Sequence, residues 1–352
     1  MKQTQITKTN EIRIGGVCLP HPFFMAPLAG FTDEAFRIIA GEHGAALTYT
    51  EMVSAKGIVY GDNGSGELLH VDALEKAPCA VQLFGHEEYY MRRAVQMLPK
   101  GEDGTPLHAM IDINMGCPVQ KVVRNGEGSA LMNDRFTAAA VVRATLAAEK
   151  EEAERDGREP RPVTVKCRIG WDETSRESVL DFAPAMEEAG ASAICVHGRT
   201  REQFYSGKSD WELVSRVHER LSVPLIGSGD LFTAEDGLMH IQNGDCDAVM
   251  YARGGLGNPW IFRKSISLLN DEDGIATNPE PFPTEEERNQ VMRRHLDLAI
   301  ERKGEKRAVR EMRKLWSFYM KGIPGAAEIR RRINSMETRA ELLKLLAEIA
   351  SK

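Results

Sequence analysis

The chain has 352 residues, of which 42% are hydrophobic and 28% charged, and its formal net charge is −7. This composition is typical of a globular protein with room for one large domain and a smaller one. No segment carries the ~18 uninterrupted apolar residues that a membrane span requires, so we expect no membrane contact.

The N-terminus and the cysteines allow predictions of the cellular compartment and of metal binding. Residues 1–10 are polar and lack the apolar core of a signal peptide, so we expect a cytoplasmic protein. The cysteines are widely spaced and include no Cys-x-x-Cys pair, which argues against a zinc site and a disulfide framework, so we expect no bound metal. They are Cys18, Cys79, Cys117, Cys167, Cys195 and Cys246.

Eight short apolar runs follow one another along the chain, and each ends in glycine, proline or polar residues, as buried strands do. Most neighbouring runs are separated by roughly 25–30 residues, which is enough for one crossover helix. The runs are Phe23–Pro27, Leu47–Met52, Ala80–Phe84, Ala109–Asn114, Val163–Arg168, Ala193–His197, Pro224–Gly227 and Ala248–Tyr251.

Helical patterns fill the gaps between these runs, and several begin with Ser, Thr or Asp, as N-caps do. They lie at Asp33–Glu42, Glu87–Leu98, Thr137–Glu154, Ser175–Glu188, Asp210–Arg220 and Thr233–Ile241. This repetition predicts an α/β fold, a (β/α)₈ TIM barrel over residues 1–270. A doubly wound sheet is the alternative, but the first run is not followed by Gly-x-Gly-x-x-Gly.

The C-terminal part of the chain has a different composition. Residues 271–284 are rich in Asp, Gly and Pro and predict a linker, and only helical patterns follow, so 285–352 is predicted to be a small all-helical domain. It holds 17 Lys and Arg against 11 Asp and Glu, whereas the preceding 284 residues hold 28 against 41. This split indicates a module that binds a polyanion, although a solvated helical surface would look the same.

Polar residues stand at the ends of the predicted strands, where TIM barrels carry their active sites. A lone cysteine is more often an inert core residue, but Cys117 follows Asn114 on a loop just past the fourth run. The charge of Lys166 inside a strand requires a partner, and a cofactor with an anionic ring would supply one. The amides of Gln82 and Asn114 suit a pyrimidine-like edge.

The loops after the seventh and eighth runs have the composition of a phosphate site. Ser228-Gly229 and Ala252–Gly255 offer small residues and the guanidinium of Arg253. TIM barrels commonly bind phosphate with these two loops, because glycines let backbone N–H groups approach the anion. Either loop alone could be an ordinary glycine turn.

Several motifs together resemble those of the tRNA-dihydrouridine synthases, most closely the bacterial B-type branch, and they are collinear from about residue 12 to residue 339. They are Met25–Asp33, Glu51–Ser54, Gln82–Gly85, Asn114–Pro118, Gly128–Leu131, Lys166–Trp171, His197–Arg201, Gly229–Asp230 and Arg253. The resemblance implies reduction of the C5–C6 double bond of specific uridines in the tRNA D-loop. It also implies bound FMN, with NADPH or NADH as reductant.

The resemblance assigns roles to individual positions. It implies that FMN gives a hydride to C6 and that Cys117 gives a proton to C5, so we expect the pKa of this thiol to be near normal or raised. It implies flavin contacts at Pro27, Leu28, Ala29, Gln82, Lys166, His197, Ser228, Gly229, Asp230, Ala252 and Arg253. Ser228 replaces the usual asparagine and Ala252 the usual glycine.

The expected partner is tRNA, with no DNA and no membrane, and we expect a monomer. We expect the loop Val119–Met132 to be a mobile flap over the RNA. Contacts with the RNA are expected at Asn114, Lys121, Arg168, Arg199, Arg310, Arg313 and Arg330.

Three alternatives remain at this point. The first is another FMN-dependent TIM-barrel oxidoreductase that acts on a free pyrimidine, like a dihydroorotate dehydrogenase. The second is an RNA-binding protein that keeps the barrel as a scaffold, and the third is an aldolase-type barrel with a Schiff base at Lys166. The identity of the modified uridine and the choice between NADPH and NADH stay open.

Overall fold

The computed structural model describes residues 10–271, 283–322 and 325–350. Two antiparallel strands, β1 (Ile12–Ile14) and β2 (Val17–Leu19), form an N-terminal hairpin. The other strands of the described residues join one parallel sheet. They are β3 (Phe23–Met25), β4 (Thr48–Tyr49), β5 (Val53–Ser54), β6 (Cys79–Phe84), β7 (Met110–Met115), β8 (Val163–Arg168), β9 (Ala193–His197), β10 (Leu225–Ser228) and β11 (Ala248–Tyr251).

The parallel sheet curves until its two ends meet. Its order is β3-β11-β10-β9-β8-β7-β6-β4, and β5 continues beside β6 beyond the end of β4. A parallel bridge between Phe24 and Leu47 joins β3 to β4, and the Met25 N–H donates to the Leu47 carbonyl at 2.9 Å. The result is a nearly closed barrel with eight strand positions, which confirms the predicted TIM-barrel class.

Helices connect the strands around the barrel. The side chains of Asp33, Asp210 and Thr233 each accept a backbone N–H three residues on, so these predicted helix starts are confirmed. The helices are α1 (Glu34–Glu42), α2 (Ala55–Val59), α3 (Asn63–Leu68), α4 (Glu88–Gln96), α5 (Gln120–Val123), α6 (Arg135–Asp156), α7 (Val179–Glu188), α8 (Trp211–His218), α9 (Ala234–Gln242) and α10 (Trp260–Leu269), with 3₁₀ turns at Gly128–Asn133 and Glu173–Ser178. Among the described residues, no helix has the length and apolar character needed to cross a membrane.

The N-terminal hairpin closes the end of the barrel opposite the strand C-termini. Its Ile12, Ile14 and Leu19 pack in one cluster with the inward-facing side chains of the strands. At the hairpin turn, a Cβ on Gly15 would lie 3.0 Å from Pro162, just before β8. Side chains alternate along each strand between the inside and the outside of the barrel. The next layer of inward-facing side chains therefore lies toward the C-terminal ends of the strands, and these side chains are polar.

The described residues of the C-terminal part form four helices, α11 (Glu285–Lys303), α12 (Glu305–Tyr319), α13 (Ala326–Ile333) and α14 (Arg339–Ala350). Of the predicted linker at 271–284, residues 272–282 lie outside the described part of the chain. Aromatic contacts join these helices to the barrel: the rings of Phe31 and Phe318 are 5.8 Å apart, and those of Trp260 and Tyr319 are 6.3 Å apart. Both parts share one continuous hydrophobic core.

Ion pairs at this interface use several cations of the segment 285–352, whose excess of basic residues suggested a polyanionic partner. Lys303 lies 2.6 Å from both Asp33 and Glu311. Arg302 pairs with Glu34 at 3.0 Å, and Arg307 pairs with Glu67 at 3.0 Å. These three cations therefore fasten the helices to the barrel, and only part of the charge excess remains for a partner.

We expect Lys303→Met to lower the free energy of unfolding by about 2–4 kcal/mol, because it leaves the buried Asp33 carboxylate without its counter-charge. Burial alone would raise the pKa of Asp33, but Lys303 lowers it below its ordinary value. Urea unfolding measures the change. The matched control is Arg331→Met, which removes a cation that is 78% exposed, against 16% for Lys303, and should change stability by less than about 0.5 kcal/mol. Equal effects of the two substitutions would contradict this account.

Candidate functional site

A cavity of about 420 Å³ opens at the C-terminal ends of the barrel strands. It contains every residue for which the sequence predicts a flavin contact, together with Asn114, Cys117 and Arg168. Several lining residues were not predicted, because they are apolar side chains on loops or on the C-terminal helices. They are Met52, Phe204, Tyr205, Phe232 and Phe318.

The loop after β7 holds Cys117 at the cavity wall. The Asn114 side-chain oxygen accepts the N–H groups of Gly116 at 3.2 Å and Cys117 at 2.9 Å, which closes a tight turn. The Cys117 carbonyl in turn accepts the N–H of Ser129 at 3.1 Å and its hydroxyl at 2.9 Å. The thiol is therefore placed by a turn that is hydrogen-bonded on both sides.

The segment Val119–Met132, for which the sequence predicts a flap over the RNA, has regular structure. It folds into α5 and a 3₁₀ turn, with Val122 and Leu131 buried. Gly128 has a positive φ of 60°, and a Cβ there would lie 3.0 Å from the Cys117 carbonyl oxygen. Gly128 thus allows the chain to return close to Cys117, and the buried apolar side chains anchor the segment.

Burial raises the pKa of the Cys117 thiol above its ordinary value. A hydrogen bond from the Val119 backbone and the charge of Arg168 act in the opposite direction, but burial is the larger effect. The side chain is therefore a neutral thiol near pH 7. This is the protonation state that a general acid requires, and the direction that the sequence led us to expect.

Lys166 lies inside β8, two residues before its C-terminal end, and is half-buried in the cavity wall. Within the described part of the chain, its ammonium group makes no ion pair or hydrogen bond. Burial raises the pKa of the nearby Asp112 carboxyl, and the charge of Lys166 opposes this rise through space. A half-buried ammonium without an ion pair favours binding of an anionic group in the cavity.

Asp112 was missed by the sequence analysis. It is 1% exposed and lies inside the barrel below the cavity, where it accepts hydrogen bonds from Gln82 at 2.7 Å and Thr164 at 2.6 Å. Gln82 in turn accepts from Asn114 at 2.9 Å. The signal was present in the sequence, since an aspartate interrupts the apolar run of β7.

Arg199 does not line the cavity, although we predicted an RNA contact there. It is 1% exposed, and its guanidinium donates to both carboxylate oxygens of Asp230 at 2.8 and 2.6 Å and to the Gly207 carbonyl at 2.8 Å. Burial would raise the pKa of Asp230, but Arg199 and the Ser209 N–H hold it below its ordinary value. Arg199 therefore positions the Asp230 loop.

Arg168 lines the cavity, but its guanidinium is hydrogen-bonded to backbone carbonyls. It donates to the carbonyls of Gly116 and Thr200, both at 2.8 Å, and of Phe204 at 3.1 Å. Burial lowers its pKa to about 10. The side chain ties the β7 loop, which carries the thiol, to the loop after β9.

His197 is neutral at this site. Burial and the nearby charges of Arg168, Lys166, Arg199 and Arg253 hold its pKa well below 6.5. A neutral imidazole keeps one nitrogen as an acceptor and offers one N–H to a ligand. His197 therefore adds a hydrogen-bonding group to the cavity without adding another charge.

Two aromatic rings flank one cation, Arg253, at the mouth of the cavity. The Arg253 guanidinium lies 4.9 Å from the ring centre of Tyr205 and 5.1 Å from that of Phe232. It also donates to Asp230 at 3.1 Å. Both rings are exposed, so the mouth offers flat apolar faces beside a fixed positive charge.

The remaining predicted RNA contacts lie outside the cavity. Lys121 is exposed on α5, and Arg310 and Arg330 are exposed on α12 and α13. Arg313 instead donates to the Met336 carbonyl, with Nε at 2.9 Å, and so fastens α12 to the segment before α14. Exposure therefore favours Lys121, Arg310 and Arg330 over Arg313 as contacts with a partner.

Comparison with known proteins places this site in context. The family described as Dihydrouridine synthase (Dus) matches residues 24–352. The chain is 33% identical over 332 residues to "tRNA-dihydrouridine synthase B" of Pasteurella multocida, covering 94% of this chain and 93% of that protein. It is 35% identical over 323 residues to "Probable tRNA-dihydrouridine synthase" of Treponema pallidum, covering 91% and 90%.

Solved structures share the fold at low sequence identity. Morphinone reductase in complex with tetrahydroNAD matches with a TM-score of 0.51 and 12% identity, covering 73% of this chain and 89% of that one. Histamine dehydrogenase from Rhizobium sp. 4-9 matches with a TM-score of 0.55 and 13% identity, covering 84% of this chain and 51% of that one. These likenesses support the barrel architecture.

Proposed function

The chain belongs to the dihydrouridine synthase family, and on that basis we propose that it reduces the C5–C6 double bond of uridines in the D-loop of tRNA to give 5,6-dihydrouridine. The observation that carries the proposal is the neutral thiol of Cys117 at the wall of a cavity that Lys166, on the neighbouring strand, also lines. A proton donor and a site for an anionic redox group thus face one space.

The residues of the cavity fit FMN. The half-buried ammonium of Lys166 suits the anionic edge of a reduced flavin, Asn114 lies beside it in the strand register, and Gln82 adds a second amide to the cavity wall. At Gly229, φ is 121° and a Cβ would lie 2.2 Å from the Ser209 hydroxyl oxygen, so only glycine fits this loop. Such a backbone suits close approach of a phosphate, with Ser228, Ala252 and Arg253 beside it.

Reduced FMN, when bound, would supply the hydride that goes to C6, and NADPH or NADH would be the source of its electrons. The chain's own contribution is the second hydrogen. Cys117 gives the proton of its Sγ to C5, which saturates the double bond and leaves a thiolate that regains a proton from solvent. The Arg168 charge, which opposes the raised thiol pKa, stabilises this thiolate.

Uridine in folded tRNA must leave its stack to reach the cavity, and this costs a few kcal/mol. The exposed rings of Phe204, Tyr205 and Phe232 at the mouth provide faces on which neighbouring bases can stack. Lys306 and Arg310 on α12 make no ion pair with the described residues, and both are exposed. Contacts of these cations with phosphates would offset the cost of unstacking.

We expect tRNA binding to weaken steeply with salt, because cations that neutralise phosphates release counterions. The double substitution Lys306→Gln and Arg310→Gln should lower the slope of log Kd against log salt by about 1.5–2. The control is Arg92→Gln, which removes an exposed cation of α4 that pairs with Glu151. A slope that stays the same in the double variant would show that this surface of α12 does not bind the RNA.

Mapping of dihydrouridine in tRNA from cells with and without the gene tests the proposed function. Loss of dihydrouridine at a D-loop position, restored by the wild-type gene but not by a Cys117→Ala variant, is the expected result. Unchanged dihydrouridine at every position would contradict it.

A further inference from the structure

Among the described residues, Asp112 is the one carboxylate that lies directly beneath the polar groups of the cavity. The proposed proton transfer gives it no role. It lies on β7, opposite Gln82 of β6 and Thr164 of β8 in the strand register. Its Oδ2 accepts from Gln82 Nε2 at 2.7 Å, and its Oδ1 accepts from Thr164 Oγ1 at 2.6 Å. Both carboxylate oxygens are therefore occupied by donors.

A chain of hydrogen bonds runs from Asp112 to the backbone of Cys117. Gln82 Oε1 accepts from Asn114 Nδ2 at 2.9 Å. Asn114 Oδ1 then accepts the N–H of Cys117 at 2.9 Å. Two amide side chains thus link the carboxylate to the turn that places the thiol.

The Asp112 carboxylate determines the donor-to-acceptor direction of every hydrogen bond in this series. An ionised carboxylate only accepts hydrogen bonds, so Gln82 must turn its NH₂ group toward Asp112 and its oxygen toward Asn114. Asn114 must then turn its NH₂ group toward Gln82, which leaves its oxygen for the Cys117 N–H. If both amides were reversed, the Asn114 NH₂ group would meet this N–H, and two donors would face each other.

We propose that Asp112 is a positioning residue that fixes the orientation of the Gln82 and Asn114 amides and, through them, the turn that carries Cys117. This inference deepens the proposed function and rests on it for the catalytic consequences. It assigns Asp112 no contact with substrate.

The surroundings of Asp112 make its effect on the orientation of the amides sensitive to pH. The ionisable groups facing it are Lys166 and Cys167 of β8, Tyr49 of β4 and Cys195 of β9. Burial raises the pKa of Asp112 to about 6, against the hydrogen bonds from Gln82 and Thr164 and the charge of Lys166. Below that pH the protonated carboxyl can donate to Gln82, so the orientation of the Gln82 and Asn114 amides is no longer fixed.

The first test compares Asp112→Asn with the wild type by alkylation of the apo-protein with iodoacetamide at pH 8. The substituted amide keeps the volume of the carboxylate but can donate, so the Cys117 turn should loosen and the thiol should react at least about fivefold faster. Exposed Cys18, in the hairpin at the other end of the barrel, is the internal control. This readout needs neither flavin nor tRNA, so it separates failure of this inference from failure of the proposed function.

The second test uses Thr164→Val, which removes the donor to Oδ1 but keeps the carboxylate. Loss of that hydrogen bond should raise the Asp112 pKa further, so the acid inflection in single-turnover tRNA reduction should move from about pH 6 to higher pH. In Asp112→Asn this inflection should be absent. A Cys117 alkylation rate equal to the wild type in Asp112→Asn, or an inflection that stays in place in Thr164→Val, would overturn the proposal.

Discussion

Replacing Cys117 with alanine is expected to reduce the rate of tRNA uridine reduction by at least about 10³-fold, within the range that a general acid contributes. Reduction of bound flavin by NADPH should be unaffected, because that step does not use the thiol. The raised pKa of Cys117 keeps the proton on sulfur near neutral pH, and this proton is the one that the variant lacks.

The two half-reactions are measured separately by stopped-flow flavin absorbance and by quantifying dihydrouridine in a single turnover. Cys18→Ala, which removes an exposed cysteine of the N-terminal hairpin, is the matched control and should behave as the wild type. A Cys117→Ala enzyme that forms dihydrouridine at the normal rate would show that another group supplies the proton.

Replacing Lys166 with methionine is expected to weaken FMN binding by about 10–100-fold, because a hydrogen bond to a charged group is worth about 1.5–3 kcal/mol. Within the described part of the chain no carboxylate forms an ion pair with this ammonium, and Asp112 interacts with it only through space, so we expect the flavin to be its direct partner. Flavin fluorescence titration of the apo-protein measures the change.

The control for this variant is Lys264→Met, which removes a lysine of α10 that pairs with Glu235 at 2.5 Å outside the cavity. It should bind FMN as tightly as the wild type. If Lys166→Met also kept the wild-type Kd, the phosphate loops and the apolar wall at Pro27–Ala29 would be sufficient to hold the cofactor, and the role given to Lys166 would be wrong.

The barrel could be predicted because its strands are buried on both faces and therefore read as uninterrupted apolar runs. The hairpin at Ile12–Leu19 could not, since strands of three residues leave almost no periodic pattern. The helices α2 and α3 were missed for a related reason, because they are short and contain three glycines between them.

The positions of the site residues followed from strand ends, but their contacts did not. Lys166 lies two residues before the end of β8 and Arg199 two residues after the end of β9, yet Arg199 is buried against Asp230 whereas Lys166 lines the cavity. Lys303 and Arg310 likewise both belong to the basic C-terminal segment 285–352. Only the packing of α11 and α12 against the barrel separates the cation that pairs with Asp33 from the one that remains exposed.

The most direct test of the central claim is a single turnover of the purified, flavin-reduced protein with an unmodified tRNA transcript. We predict one dihydrouridine formed per flavin reoxidised, at a D-loop position, and no comparable reoxidation by free uridine or orotate. Reoxidation by the free pyrimidine at the same rate, or by tRNA without formation of dihydrouridine, would contradict the account.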